Sequence, residues 1–168
     1  VDPATLRICS NLSGVADPRY IPEAIFATDI EPLLGQRQWC HFLQHKSLYQ
    51  ALFPSGGFPT VYLHGILGSL YSADLDLISP AAGRQIVDAL AYPVLLKPNT
   101  DSMGGAGVVF CDSPDRLWEQ VQNCPNFVVQ PVEQQDAYFQ RFNPAGLNTC
   151  RVDLYRSVVT DEVHVLNV

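Results

Sequence analysis

Lysine is nearly absent from this chain: among its 168 residues only Lys46 and Lys97 carry an ammonium side chain. Charged residues of all kinds make up 16% of the sequence, whereas roughly 25% is typical of globular domains. This deficit argues against a disordered tail and predicts apolar surface that a partner or further domain would cover. Acidic residues outnumber basic ones by 17 to 10, for a net charge of −7, which argues against a nucleic-acid partner.

Long apolar runs and paired cysteines are also missing. No stretch approaches the ~18 apolar residues of a transmembrane helix, and the first residues lack the pattern of a signal peptide. We therefore expect a cytoplasmic protein. The chain starts without Met and ends in strand-like sequence, so we expect a fragment or a trimmed chain. The cysteines form no Cys-x-x-Cys pair, which argues against zinc and predicts reduced, buried side chains: Cys9, Cys40, Cys111, Cys124 and Cys150.

The length suits about one domain, and the order of elements predicts an α+β fold. Ser79-Pro80 and Ser113-Pro114 each combine an N-cap residue with a proline at the first helical position. Short apolar segments occur in hairpin-like pairs, not in regular strand–helix–strand units. Helices are predicted in 21–34, 38–53, 79–90, from 113 onwards and in 136–142. Strands are predicted at 60–64, 69–71, 92–97, 108–111, 126–130, 150–158 and 162–168, the last two pairing around Thr160-Asp161.

The most informative segment begins at Lys97, which ends an apolar strand and precedes a glycine-rich loop and another strand. Glycines permit positive φ and let backbone N–H groups approach oxyanions closely, while a lysine supplies a point charge for phosphate. The segment thus predicts a phosphate clamp on a β-hairpin, the alternative being a bulged hairpin with a solvent-exposed lysine. The order of parts differs from a P-loop, a protein-kinase glycine loop and a Rossmann fingerprint.

These residues resemble the ATP-grasp superfamily, over roughly residues 20–168. That family has one phosphate-binding lysine on a helix and a second on a strand before a glycine-rich lid, as at Lys46 and Lys97. Residues 127–134 resemble its hinge strand. The closest resemblance is to the sugar-transfer-associated group, through Gln134-Gln135, Asn143-Pro144 and Asn148-Thr149-Cys150-Arg151. The sequence departs from the family pattern at His45, Gln130 and Gln135, and the C-terminal metal-binding acids are absent from this chain.

The resemblance implies an ATP-grasp small lobe with a lid hairpin, followed by the beginning of the large lobe. It divides the chain into a mainly helical region (1–58), the small lobe (59–128) and the hinge with an incomplete large lobe (129–168). Mg²⁺ would accompany ATP, with its ligands outside this chain and no metal ligand within it.

The resemblance also implies roles for individual residues. Lys97 would bind the α- and β-phosphates, and Lys46 would assist, unless it is only a solvated helix lysine. Arg151 would face the γ-phosphate or an acyl phosphate, the alternative being an ion pair with a nearby acid such as Asp153. Asn148 would fix the Arg151 loop or touch phosphate. The other expected contacts are the β- and γ-phosphates for Ser102, Gly104, Gly105 and Gly107, the adenine edge for Gln130 and Val132, and the ribose for Glu133.

The implied function is ATP-dependent activation of a carboxylate and its ligation to an amine or similar nucleophile, in sugar or polysaccharide biosynthesis. The implied partners are ATP and a small-molecule carboxylate or sugar-linked substrate, and a homo-oligomer is left open. An alternative is a non-catalytic nucleotide-binding or interaction module that lacks the metal-binding half; another is a purely structural α/β fragment. Whether this chain alone is an enzyme is also left open.

Overall fold

A computed structural model describes residues 3–17, 21–34, 41–144, 146–150 and 152–167 of the chain. It contains two compact units, which divide between Pro131 and Val132. The first unit holds a six-stranded sheet and the second a two-stranded hairpin. The mixture of helices with antiparallel strands confirms the predicted α+β class at this level.

Every strand pair in the large sheet is antiparallel, and the strand order is β3-β2-β1-β6-β4-β5. The predicted strands are present, although the first is displaced towards the C-terminus, because Tyr62 donates only one backbone bond to Val129 before regular pairing begins at Leu63. The strands of this sheet are β1 (Leu63–Ile66), β2 (Ser69–Tyr71), β3 (Leu77–Ile78), β4 (Val94–Pro98), β5 (Val109–Cys111) and β6 (Phe127–Pro131).

Two ten-residue helices cover one face of the sheet and complete its core. The Ser79 hydroxyl accepts a hydrogen bond from Ala82 N at 3.2 Å, as its sequence motif predicts. Ser113 occupies the corresponding position without a capping side-chain bond. The helices bury Val87 and Leu117 against alternate residues of the central strands. Apart from the helical residues 41–43, the helices in chain order are α1 (Pro3–Ser13), α2 (Glu23–Ile25), a π-helical turn (Phe26–Ile30), α3 (Glu31–Leu34), a 3₁₀ turn (Lys46–Leu48), α4 (Tyr49–Leu52), α5 (Pro80–Ala89), a 3₁₀ turn (Met103–Gly105), α6 (Pro114–Asn123) and α7 (Ala137–Gln140).

The helix predicted over 38–53 is wrong as a continuous element. Residues 41–43 are helical, but His45 is extended, with φ −75° and ψ 104°. The chain then begins again with the 3₁₀ turn and α4. Backbone N–H groups of Lys46 and Ser47 bind Asn99 instead of carbonyls one turn earlier, so a tertiary contact replaces the helix at this point. Residues 38–40 lie outside the described residues.

The prediction of five buried cysteines is also wrong. Cys111 is fully buried, whereas Cys9 and Cys124 are partly buried and Cys150 is exposed. All four have free thiols, and Cys40 lies outside the described residues. Cys150 differs because it belongs to the second unit, in which no residue from 132 to 165 whose exposure the structure describes is buried.

The second unit begins at Val132 and contains α7 and an antiparallel hairpin of β7 (Asp153–Arg156) and β8 (Val163–Asn167). Asp136 caps α7 by accepting a hydrogen bond from Tyr138 N at 2.8 Å. The hairpin confirms the strand pair predicted around Thr160-Asp161. Among the helices that the structure describes, none is long and apolar enough to cross a membrane.

Candidate functional site

The two lysines, 51 positions apart in the sequence, meet at the end of β4. The Lys46 ammonium donates hydrogen bonds to the carbonyls of Pro98, at 2.9 Å, and Asn99, at 3.3 Å. Pro98 directly follows Lys97 in β4. The cavity that both lysines line has a volume of about 180 Å³. Its other lining residues are Tyr49, Gln50, Phe58, Pro59, Val61 and Gln130.

Strand register explains why this cavity lies away from helices α5 and α6. Lys97 is paired with Val128, and Leu95 with Gln130, so these four side chains share one face of the sheet. Leu96 lies between them in sequence and points to the opposite face, into the helix-covered core. The cavity therefore forms between the second face of the sheet and the segment 46–61.

The cavity combines its two ammonium groups with an aromatic wall. The Tyr49 and Phe58 rings lie 4.9 Å apart, centroid to centroid, at 41° to each other. Gln130 is only 7% exposed, and its Nε2 donates to the Pro59 carbonyl at 3.4 Å. Such a surface can accept a ligand with both an apolar planar part and an anionic part.

Electrostatics at this site favour an anion. Burial, followed by the charge of Lys97, lowers the pKa of Lys46, and Asp101 acts in the opposite direction. Within the described ranges, no carboxylate comes within 4.0 Å of either lysine nitrogen. The repulsion between the lysines is therefore not cancelled by a close acidic partner, and an anionic ligand would relieve it.

The loop between β4 and β5 has the backbone geometry that its glycines predict. Gly104, Gly105 and Gly107 have φ values of +64°, +82° and +70°, which L-residues seldom adopt. A Cβ on Gly107 would lie 2.7 Å from the Pro98 ring, whereas Gly104 and Gly105 face open space. The absence of a side chain at Gly107 lets the loop pack against Pro98, next to Lys97. Gly104 and Gly105 leave their backbone exposed. Ser102 in this loop is partly buried.

The remaining predicted site residues belong to the second unit and are described there alone. Val132 and Glu133 are exposed. The Asn148 amide nitrogen donates to the carbonyls of Phe139, at 2.9 Å, and Asn143, at 3.2 Å, and its backbone N–H donates to the Gln135 side chain. These bonds connect Asn148 to the end of α7 and to the segment before it, and the roles expected of Asn148 stay predictions. Arg151 itself lies outside the described residues.

Metal ligands do not assemble around this site. Nowhere in the described ranges do three or more His, Cys, Asp or Glu side chains come together to hold an ion. His41 and His45 are four positions apart, but the extended His45 backbone ends the helix that would have aligned them. The expectation that the magnesium ligands lie outside this chain stays a prediction.

Tyr49, Phe58 and Asn99 were not predicted from the sequence as residues of this site, and neither were Gln50, Pro59 and Val61 of the cavity lining. The aromatic pair lies on either side of the Pro-Ser-Gly-Gly turn at 54–57, and this arrangement is a signal for their contact. Asn99 directly follows the Lys-Pro end of β4, yet nothing local shows that it would bind the segment around Lys46.

Comparisons with known proteins add no relative: no family model matches the chain, and neither a curated protein nor a solved structure is significantly similar to it.

Proposed function

We propose that this protein binds ATP between the sheet and the segment 46–61, with the phosphates at Lys46 and Lys97. The observation that carries the proposal is the convergence of the chain's only two lysines on one cavity beside a glycine-rich hairpin. An ATP-grasp arrangement requires such a convergence of a strand lysine and a lysine from a separate segment. The sequence resemblance to the ATP-grasp superfamily and this geometry therefore support the same proposal.

Each part of the site suits one part of the nucleotide. The ammonium groups suit phosphate oxygens, and exposed backbone at Gly104 and Gly105 suits the terminal phosphates. Tyr49 and Phe58 offer an aromatic surface for the base, and Gln130 offers a polar group for its edge. The cavity of about 180 Å³ is smaller than most ligand sites, which span roughly 300–1,000 Å³. It would hold part of ATP, with the glycine loop covering the phosphates.

The reaction proposed for the ATP-grasp assignment is carboxylate activation. A carboxylate oxygen attacks the γ-phosphorus, the bond to the β–γ bridging oxygen breaks, and ADP leaves. The products of this step are an acyl phosphate and ADP. An amine then attacks the acyl carbon, inorganic phosphate leaves, and the amine loses a proton. Lys46 and Lys97 would neutralise phosphate charge during binding, and this positioning contributes much of phosphoryl-transfer catalysis.

The direct test is calorimetric titration of the chain with ATP, with and without Mg²⁺, compared with Lys97→Ala. We expect binding at least tenfold weaker in the variant, equivalent to about 1.4 kcal/mol. Arg116→Ala is the matched control, because Arg116 is an exposed cation on α6 whose side chain is 52% accessible. Equal affinity of Lys97→Ala and the unchanged chain would contradict the proposal.

A non-catalytic nucleotide-binding module is the second candidate. The observation that favours it is Gln130, a neutral amide bonded to Pro59 where the family resemblance leads us to expect an acid. Phosphate release from ATP in the presence of small carboxylates distinguishes the two. Tight binding without release, in a chain extended past Val168 as well as in this one, would favour the module.

A further inference from the structure

The contacts of Asn99 connect the segment around Lys46 to the end of β4. Asn99 is 2% exposed, and its Oδ1 accepts a hydrogen bond from Ser47 N at 2.9 Å. Its carbonyl accepts from Lys46 N at 3.1 Å and from Lys46 Nζ at 3.3 Å. One residue thus contacts the backbone and the ammonium group of the segment that carries the first lysine.

Asn99 is itself held by the sheet. Its N–H donates to the Asn126 carbonyl at 3.1 Å, just before β6. The Asn126 side chain accepts from Leu67 N at 2.8 Å, in the turn between β1 and β2. Through these bonds Asn99 is connected to the neighbouring strands β1, β6 and β4, which we call the frame. The frame therefore holds the residue that binds the Lys46 segment. Because the frame is buried, the attachment has a fixed position relative to Lys97.

We propose that Asn99 is a positioning residue, which holds Lys46 against the end of β4 so that both lysines face one anionic ligand. An ammonium group has three N–H donors. Two of those on Lys46 are directed at the Pro98 and Asn99 carbonyls, which leaves one for a ligand oxygen. The position of Lys46 therefore determines where that single donor points. The identity of the ligand as ATP rests on the proposed function, but the positioning itself does not.

The first test needs no nucleotide. Lysine labelled with ¹³C and ¹⁵N leaves the ammonium groups unmodified, and since the chain has only two lysines, each Cε resonance can be assigned from Lys46→Arg and Lys97→Arg. Asn99→Ala removes the Oδ1 acceptor of Ser47 N and leaves the backbone carbonyls in place. If that side-chain bond holds the segment, its loss lets Lys46 become more exposed and move away from Lys97, so the pKa of Lys46 should rise towards 10.5, the ordinary value for lysine. Asn123→Ala is the matched control, because Asn123 is exposed and bonds only within α6. An unchanged Lys46 titration in a folded Asn99→Ala chain would overturn the proposal.

Amide hydrogen exchange measures folding and attachment in one experiment. We expect Ser47 N–H to exchange at least tenfold faster in Asn99→Ala while the amides of Leu96 and Val129 stay protected. If the sheet amides also lose protection, Asn99→Asp decides, because it keeps the Oδ1 acceptor. Protection of Ser47 in Asn99→Asp supports the proposal, and fast exchange at Ser47 beside a protected sheet overturns it.

Nucleotide affinity separates this inference from the proposed function. If Asn99 acts through Lys46, the Asn99→Ala/Lys46→Ala double variant should bind ATP no more weakly than Lys46→Ala alone. Additive losses, or full affinity in Asn99→Ala beside reduced affinity in Lys46→Ala, would overturn the positioning role. No ATP binding by the unchanged chain would reject the proposed function, while the lysine titration would still decide the role of Asn99.

Discussion

The two compact units contain similar strand sequences but differ in what covers them. In the first unit, nine buried apolar residues form one core between the sheet and its helices. In the second, every residue from 132 to 165 whose exposure the structure describes is at least partly exposed, and strand side chains such as Leu154 and Val165 are 60% and 61% accessible. Two strands without a covering layer cannot form a core. The comparison shows that apolar alternation selects a strand, whereas burial depends on the number of strands and on the helices packed against them.

The largest expected effect is a difference in the free energy of unfolding between two leucine-to-alanine substitutions, one in each unit. Leu96 in β4 is 2% exposed and Leu154 in β7 is 60% exposed. Leu96→Ala should lower the free energy of unfolding by about 2–5 kcal/mol, because it removes buried methyl groups and leaves a cavity. Leu154→Ala should change it by no more than about 0.5 kcal/mol. Urea denaturation measures both, followed by tryptophan fluorescence for the first unit and by amide exchange of the β7–β8 hairpin for the second.

The fluorescence reporter for the first unit is Trp118, which packs against its core, in a Trp39→Phe background that removes the second of the chain's two tryptophans. A retained m-value would show that the variants differ in stability and not in the extent of unfolding. Similar losses for the two substitutions would mean that the hairpin is buried in solution, and the contrast between the units would be wrong.

Local sequence signals were sufficient for much of the first unit. Ser79-Pro80 begins α5, and the Lys97 strand, loop and following strand form the hairpin of β4 and β5 as expected. The break at His45 could not be predicted, because the apolar spacing of 38–53 suits a helix while the contacts that interrupt it come from Asn99, more than fifty residues later. A hydrogen bond between residues so far apart leaves no periodic pattern in the sequence from which it could be predicted.

The candidate site could likewise be predicted only in part, because some of its residues come together through long-range contacts. The scarcity of lysine drew attention to Lys46 and Lys97, and the structure brings both to one cavity. Gln130 lines that cavity because strand register places it on the face of Lys97. The aromatic wall of Tyr49 and Phe58 was not predicted, since neither residue belongs to a motif of its own. The roles expected of all the predicted site residues, Val132, Glu133 and Arg151 included, remain predictions.

A second, intermediate effect concerns the histidine buried in the sheet of the first unit. His64 is 1% exposed, and among the described residues neither ring nitrogen has a hydrogen-bond partner. Burial lowers its pKa below the usual 6.5; the Ala73 backbone acts against this shift without reaching hydrogen-bond geometry. Because His64 binds a proton more readily in the unfolded chain, protonation favours unfolding. The stability that neutral His64 contributes is therefore complete above pH 6.5 and is lost as the pH falls below that value. For one titrating group the slope is at most about 1.4 kcal/mol per pH unit.

His64→Phe should remove this acid-side slope, since the variant carries no titrating group at this position. His164→Gln is the matched control from the second unit, where the His164 side chain is 51% exposed. Thermal unfolding at several pH values between about 5 and 7.5, a range that spans the ordinary pKa of histidine, compares the three chains. A slope that survives in His64→Phe would assign the acid sensitivity to other groups.

The smallest expected effect concerns exposed ion pairs, and it tests whether such a pair contributes equally little to stability in the two units. Arg156 makes two 2.8 Å hydrogen bonds to the Asp161 carboxylate in the β7–β8 hairpin, and Arg84 contacts Asp115 at 2.8 Å between α5 and α6. Asp161→Asn keeps a residue that tolerates the φ of +60° there, but it removes the charge. The loss should be about 0.2–1 kcal/mol, measured as amide protection in the hairpin, and should shrink at about 1 M salt. Asp115→Asn should show a similarly small, salt-sensitive effect in the first unit. A large loss in either unit would mean that its ion pair is shielded from water, and the contrast between the units would then extend beyond their cores to their surfaces.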